Sequence, residues 1–249
     1  MTDFFSKESI KGRNVFCVSL SGGLDSSTTL YKIAKEYAKS GDHLIIVTFD
    51  YGQVNAVERV CADKVVQTLV PYFEKNNIQY KRVYSSIKTY LTQHETKETR
   101  SNLVYYYPSR NLIMSSILAN IVESYISKEG IQNTRPFISM GIHKHTTYEE
   151  YWDIKPEFVL AVQNVLNLNP VKITFLAPYV NATKKDIYDD AIRLKLDPKQ
   201  TWSCYDPVHA ADGVHSCGEC EACIERQKLC GTSDVFVSSE DIRKWQETQ

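Results

Sequence analysis

The sequence predicts an α/β protein: a doubly wound, mostly parallel sheet covered by helices on both faces, with a metal-binding C-terminal segment. Three observations carry that expectation. Short apolar runs rich in strand formers alternate with helical periodicity along the chain. The first run ends in a Ser-Gly-Gly turn that leads straight into a helix. Near the other end, Cys217, Cys220 and Cys223 follow one another at two-residue gaps.

Residues 15–20 (VFCVSL) read as a buried opening strand closed by Ser21, Gly22 and Gly23. Leu30, Ile33, Ala34, Tyr37 and Ala38 then keep the spacing of an amphipathic helix, with Gly41 where its C-cap belongs. Residues 43–49 are a second buried strand, 57–70 a second helix and 80–84 a third strand. Further helices are expected over 112–126, 158–166 and 184–194, the last entered through Thr183, and strands over 137–140 and 173–176. The stretch 87–107 has no clean period and reads as a loop over the site. Residues 1–200 are expected to form the α/β domain, and 201–249 a four-cysteine segment packed on it.

Composition narrows the class. Of 249 residues, 43% are hydrophobic and 24% charged, too apolar for a disordered chain. With 29 Lys and Arg against 30 Asp and Glu, the net charge of −1 supplies no global field for nucleic acid or an acidic membrane. The opening MTDFFSKESIKGRN has no signal-peptide core, and no run approaches the ~18 apolar residues of a membrane span. A cytoplasmic enzyme or binding domain is expected, with seven cysteines too odd a set for a disulfide framework.

Ligands of open parallel sheets bind beyond the C-terminal strand ends, where Ser21-Gly22-Gly23-Leu24-Asp25-Ser26-Ser27 falls, flanked by Leu20 and Thr28. The glycines permit a tight turn and close approach to an anion, and the N–H groups at the helix start favour negative charge. The serines add hydroxyls, and Asp25 is suited to Mg²⁺ held against phosphates. No Gly-Lys-Ser/Thr follows, so the loop is not a Walker A sequence. It suits pyrophosphate as a leaving group better than transfer of a γ-phosphoryl. The plain alternative is a tight turn with a Ser/Asp cap.

Cys204, Cys217, Cys220 and Cys223 form C-x12-C-x2-C-x2-C, a spacing that lets four thiolates close a structural zinc site. Cys230 competes as a fourth ligand, although its place after Leu229 at a helix end favours a buried thiol. Cys17 and Cys61 read as core thiols.

The SGGLDSS string resembles the PP-loop of ATP pyrophosphatases, which adenylate a substrate and release pyrophosphate. Between loop and cysteines stand Phe49-Asp50-Tyr51-Gly52-Gln53, Glu58, Pro108-Ser109-Arg110-Asn111, Tyr151-Trp152-Asp153, Thr183-Lys184 and Thr201-x-Ser-Cys-Tyr205. Together these resemble the 7-cyano-7-deazaguanine synthase family over nearly the whole chain. The resemblance implies an adenine nucleotide alpha-hydrolase-like fold. It also implies ATP-dependent conversion of 7-carboxy-7-deazaguanine with ammonia, by way of an acyl-adenylate and an amide, to the nitrile. It implies a homodimer using ATP, Mg²⁺ and one Zn²⁺, without direct nucleic-acid binding. Residues 20–28 would hold the nucleotide, with Asp25, Arg110 and Lys184 catalytic. Asp50, Tyr51, Gln53, Arg110, Asn111, Asp153 and Lys155 would contact substrate.

The chain departs from the family pattern in two places. Val54-Asn55 stands where the family has Arg-His, and 141–155 replaces a family run, losing one aspartate and adding His143 and His145. Those histidines read as an ordinary loop pair. Since the family reads its heterocycle there, a variant that stops at 7-amido-7-deazaguanine is one alternative. A non-catalytic nucleotide-binding partner on the same scaffold is another. A tRNA thiolase would want reactive cysteines near the loop and a basic surface, which the charge balance does not supply.

Overall fold

The computed structural model describes residues 13–52, 57–91, 107–144, 151–231 and 235–247. Five strands form the central sheet: β1 (Arg13–Ser19), β2 (His43–Asp50), β3 (Gln79–Ser86), β4 (Thr134–Ser139) and β5 (Thr174–Leu176). They lie in the order β3-β2-β1-β4-β5, every neighbouring pair parallel. Successive side chains of a strand point to opposite faces, so Phe16, Val18 and Leu20 enter one core while Val15 and Cys17 enter the other. Helices α1 (Leu24–Lys32), α2 (Val57–Lys75) and α5 (Lys184–Arg193) cover the first face. Helices α3 (Arg110–Glu129) and α4 (Pro156–Leu166) cover the second. Sheets buried on both sides need near-continuous apolar strands, which is how β1 and β2 read.

From β1 the chain steps outward to β2 and β3, and α3 then carries it back across β1 to β4. The connections leaving β1 and β4 therefore diverge, opening a crevice at their C-terminal ends. Register pairs Val18 with Ser139, so the two strands finish level at that crevice.

Two helix ends differ from expectation. Helix α1 passes into a π turn over Ile33–Tyr37 and stops at Ala38, whose backbone is extended. Gly41 does not cap it; with φ +86° it shapes the next turn, donating its N–H to the Asn77 carbonyl at 2.8 Å. Helix α2 continues past residue 70 to Lys75 with Pro71 inside it. Interior proline costs about 3 kcal/mol. Phe73, wholly buried beside Leu69 and Ile78, returns about 1.5–3 kcal/mol of that by burial.

After residue 200 come β6 (Val208–Ala210), β7 (Gly213–His215), α6 (Glu221–Cys230), β8 (Phe236–Ser238) and α7 (Ser239–Glu247). The three strands make a small antiparallel sheet in which β7 is central. A third core joins this segment to α2, packing Trp202, Cys204, Val214, Cys223 and Val237 on Val57, Val60 and Cys61. Among the described residues, no helix is long and apolar enough to cross a membrane.

Candidate active site

The turn after β1 is shaped by close packing. Gly22 has φ +96°, and a Cβ there would lie 2.0 Å from the Glu58 carbonyl oxygen, so only glycine fits. The Ser21 and Ser26 hydroxyls lie 2.9 Å apart; Ser21 Oγ accepts the Gly23 N–H, and Ser26 Oγ accepts the Ser21 N–H. These bonds lock the turn. The first-turn N–H groups of α1 have no acceptor within the helix, and Leu24, Asp25 and Ser26 line the cleft beyond it. A helix N-terminus built this way is an anion seat. Leu20 also lines the cleft, whereas Ser27 and Thr28 are wholly buried beneath it, the Thr28 hydroxyl donating to the Leu24 carbonyl at 2.7 Å. Across the crevice, a Cβ on Gly141 would come within 2.8 Å of the Ser26 nitrogen, so the backbone after β4 abuts α1 directly.

Helix α5 delivers a cation to this turn. Thr183 caps α5 in a reciprocal box with Asp186, which makes Lys184 its first residue. The Lys184 ammonium donates to both Asp25 carboxylate oxygens at 2.7 Å, and His143 Nδ1 stands 3.7 Å from Asp25. Tyr179 and Lys32 both bond Asp190, holding α5 against α1.

The opposite wall comes from α3. Ser109 sits in the left-handed region (φ +58°) immediately before Arg110, a costly conformation that sets where the helix begins. Arg110 lies over the Tyr51 ring, 5.4 Å from its centroid, and donates to the Tyr51 hydroxyl at 3.4 Å. Tyr107 meets Tyr51 edge to face at 5.1 Å. The Asn111 amide donates to the Asp153 carbonyl at 3.0 Å, and its backbone N–H donates to the Asp153 carboxylate at 3.3 Å. Tyr51, Arg110, Asn111 and Asp153 thus share one wall of a cleft of about 730 Å³, a size usual for small-molecule sites.

Two expected contacts stand elsewhere. Asp50 is paired with Arg59 at 2.8 Å and Lys88 at 3.0 Å, outside the cleft lining. Burial would raise its carboxyl, but the bonds from Lys88 and the Gly52 N–H, with Arg59 nearby, hold it below the ordinary carboxylate range. Lys155 is exposed ahead of α4 and is not part of the lining. Gln53, Asn55 and His145 lie outside the described residues.

Glu58 had no role in the sequence reading beyond its place in the family strings. It occupies the first turn of α2 and lines the cleft with Tyr51, Arg110 and Tyr205. Burial lifts its carboxyl to about 7, more than Arg110 and Arg59 lower it. The signal was present: Val57, Cys61, Ala62 and Val65 are buried around it, so a carboxylate interrupts an apolar helix face.

The C-terminal segment closes the cleft. The Trp202 backbone N–H donates to the Gly22 carbonyl at 2.9 Å. Buried Arg226 on α6 reaches Thr201 Oγ1 and Ser203 Oγ, each at 3.2 Å, and the Pro198 carbonyl, which ties α6 to that strand of chain. The Sγ atoms of Cys204, Cys217, Cys220 and Cys223 all lie within 4.8 Å of one another. Four metal–sulfur bonds of about 2.3 Å to one tetrahedral ion set sulfurs roughly 3.8 Å apart, so the four cysteines fit a single metal. Backbone N–H groups of Tyr205, Cys217, Glu219 and Cys220 point at these sulfurs, as thiolate ligands require. Burial opposes ionisation of Cys217, yet the N–H groups of Glu219 and Cys220 outweigh it and bring the thiol down to about 7. Cys230 is not in the cluster; it lines the cleft at the end of α6.

A parallel sheet with an anion-ready turn at its switch point, and a carboxylate–lysine pair beside it, defines a nucleotide-binding α/β protein of PP-loop type. The family model described as Queuosine biosynthesis protein QueC matches residues 15–231, and the chain belongs to that family. Among curated relatives, the 7-cyano-7-deazaguanine synthase of Leptospira interrogans (serovar copenhageni) is 30% identical over 94% of this chain and 93% of its own. That of Rickettsia peacockii is 31% identical over 84% and 90%, and that of Rhodopirellula baltica 31% over 88% of each. Among solved structures, the U34-tRNA thiolase NcsA from Methanococcus maripaludis with its 4Fe-4S cluster is similar at 15% identity and a TM-score of 0.40. That match covers 82% of this chain and 63% of the thiolase.

Proposed function

We propose that this enzyme converts 7-carboxy-7-deazaguanine to 7-cyano-7-deazaguanine, with ammonia as nitrogen donor and two ATP consumed as AMP and pyrophosphate. The observation that carries the reading is the Asp25–Lys184 pair at 2.7 Å beside the anion seat, in a chain whose relatives are synthases of that nitrile. A carboxylate is a poor electrophile, so its oxygen first attacks the α-phosphorus of ATP and pyrophosphate leaves. Ammonia then displaces AMP to give the amide. The amide oxygen attacks a second ATP, and loss of AMP leaves the nitrile.

These steps ask the protein for positioning and charge neutralisation rather than a nucleophile. The turn at residues 21–26 holds the departing diphosphate through N–H groups and hydroxyls. Mg²⁺, when bound at Asp25, offsets charge on that leaving group. Lys184 reaches the α-phosphate as charge develops there. Arg110 faces the substrate carboxylate from the opposite wall, while Asn111, Asp153 and the Tyr51–Tyr107 pair orient the heterocycle. Zinc on the four cysteines is structural, because four thiolates leave no open position. The active unit is a pair of copies in the cytoplasm.

The test is a stoichiometry. With ATP, Mg²⁺, ammonium and 7-carboxy-7-deazaguanine, two AMP per product of nitrile mass is expected. One AMP per product of amide mass would shorten the reaction, and no AMP above background would end the reading.

A further inference from the structure

We infer that Glu58 is a catalytic group that takes the proton shed by the attacking amine, a role that rests on the adenylate chemistry proposed above. Its position supports this. The Glu58 backbone packs against Gly22, so the residue is fixed relative to the phosphate-binding turn. Its side chain lines the cleft from the side of α2, next to Tyr51, Arg110 and Tyr205. It makes no hydrogen bond or ion pair among the described residues, unlike Asp25, Asp50 and Asp153 in and around the same site.

The charged and titratable groups around Glu58 are Arg110 of α3, Arg59 and Cys61 of its own helix, Tyr51 after β2 and Tyr205 of the C-terminal segment. Arg59 is engaged by Asp50, and Arg110 rests on Tyr51. Neither cation closes an ion pair with Glu58, which leaves its carboxylate available to a cationic or protonated ligand. A carboxyl that ionises near neutral pH is matched to proton transfer at that pH.

The amine nitrogen donates its lone pair to the acyl carbon of the adenylate. The bond from that carbon to the phosphate oxygen breaks, and its electron pair leaves with AMP. The surplus proton on nitrogen passes to the Glu58 carboxylate, which returns it to water. Glu58 has no part in forming the adenylate, since that half-reaction releases pyrophosphate and moves no proton from an amine.

The separation of half-reactions is the test. Substrate-dependent exchange of labelled pyrophosphate into ATP, without ammonium, reads adenylation; amide formation with ammonium reads the amine step. Glu58→Gln is expected to keep the exchange while lowering amide formation at neutral pH by about 100-fold. Replacing ammonium with hydroxylamine, whose weakly basic nitrogen gives up its surplus proton to water more readily after attack, should narrow the gap, and Glu58→Asp should restore part of it. Retained exchange also shows that the variant folds. Equal loss of both half-reactions, or of neither, would overturn the role of Glu58. Absence of exchange in the unmodified enzyme would instead overturn the proposed function itself, and this inference with it.

Discussion

Lys184 and Asp25 are far apart in sequence and meet because one begins α5 and the other lies in the first turn of α1, two helices packed side by side on one sheet face. Removing the ammonium in Lys184→Ala should lower pyrophosphate exchange by at least about 100-fold. Little change is expected in the thermal midpoint, because the pair is partly solvated. At Gly22, substitution by alanine should instead lower stability. The positive φ alone costs about 1–3 kcal/mol before the 2.0 Å clash is counted, and a reduced melting temperature is the readout.

Glu58 carries a stability signature of its own. Its folded-state value of about 7 stands above the ordinary 4.5, so the folded chain holds more protons than the unfolded chain between those values. Stability therefore falls as pH rises from about 4.5 to 7, by up to roughly 3 kcal/mol. Melting curves of Glu58→Gln should lack that decline and lie above those of the unmodified protein at neutral pH. At this scale the sequence was most legible where side chains act locally. Ser21, Gly23 and Ser26 could be read as one turn because they bond one another. Asp50 could not be placed from sequence, since its partners Arg59 and Lys88 come from different parts of the fold.

Elements were legible in proportion to length and period. β1, β2, α3 and α4 announce themselves through unbroken apolar runs or a helical stripe, and their ends moved by only a few residues. The π turn after α1 and the passage of α2 through Pro71 were hidden, because tertiary burial decides both. The three-residue strands β6, β7 and β8 carry no period at all; the β6–β7 hairpin brings Cys217 back to Cys204, and β8 joins it by pairing with β7 from beyond α6. The cysteines at the start of α6 are thus the fastening of that small sheet. Removing the metal with a chelator, or replacing Cys220 by serine, should lower the melting midpoint by at least several degrees. Each ~1 kcal/mol is worth about 2–4 °C in a chain of this length. A calorimetric scan with and without chelator, beside metal analysis of both samples, checks it.

The whole molecule joins these scales through Trp202. Its ring lies in the core shared by α2 and the cysteine segment, and its backbone N–H holds the carbonyl of Gly22 in the turn after β1. Loss of metal is therefore expected to raise the ATP concentration needed for half-maximal pyrophosphate exchange, with no change in any residue of the turn. Titrating ATP before and after chelation, below the melting transition, measures that coupling. The same bond has a consequence for biogenesis. The turn after β1 leaves the ribosome before Trp202, the four cysteines and Arg226 do. A nascent chain arrested before Trp202 can lay down β1 to β5 yet lacks one wall of its cleft, so that cleft is complete only once the segment from Trp202 onward has folded back onto the turn after β1.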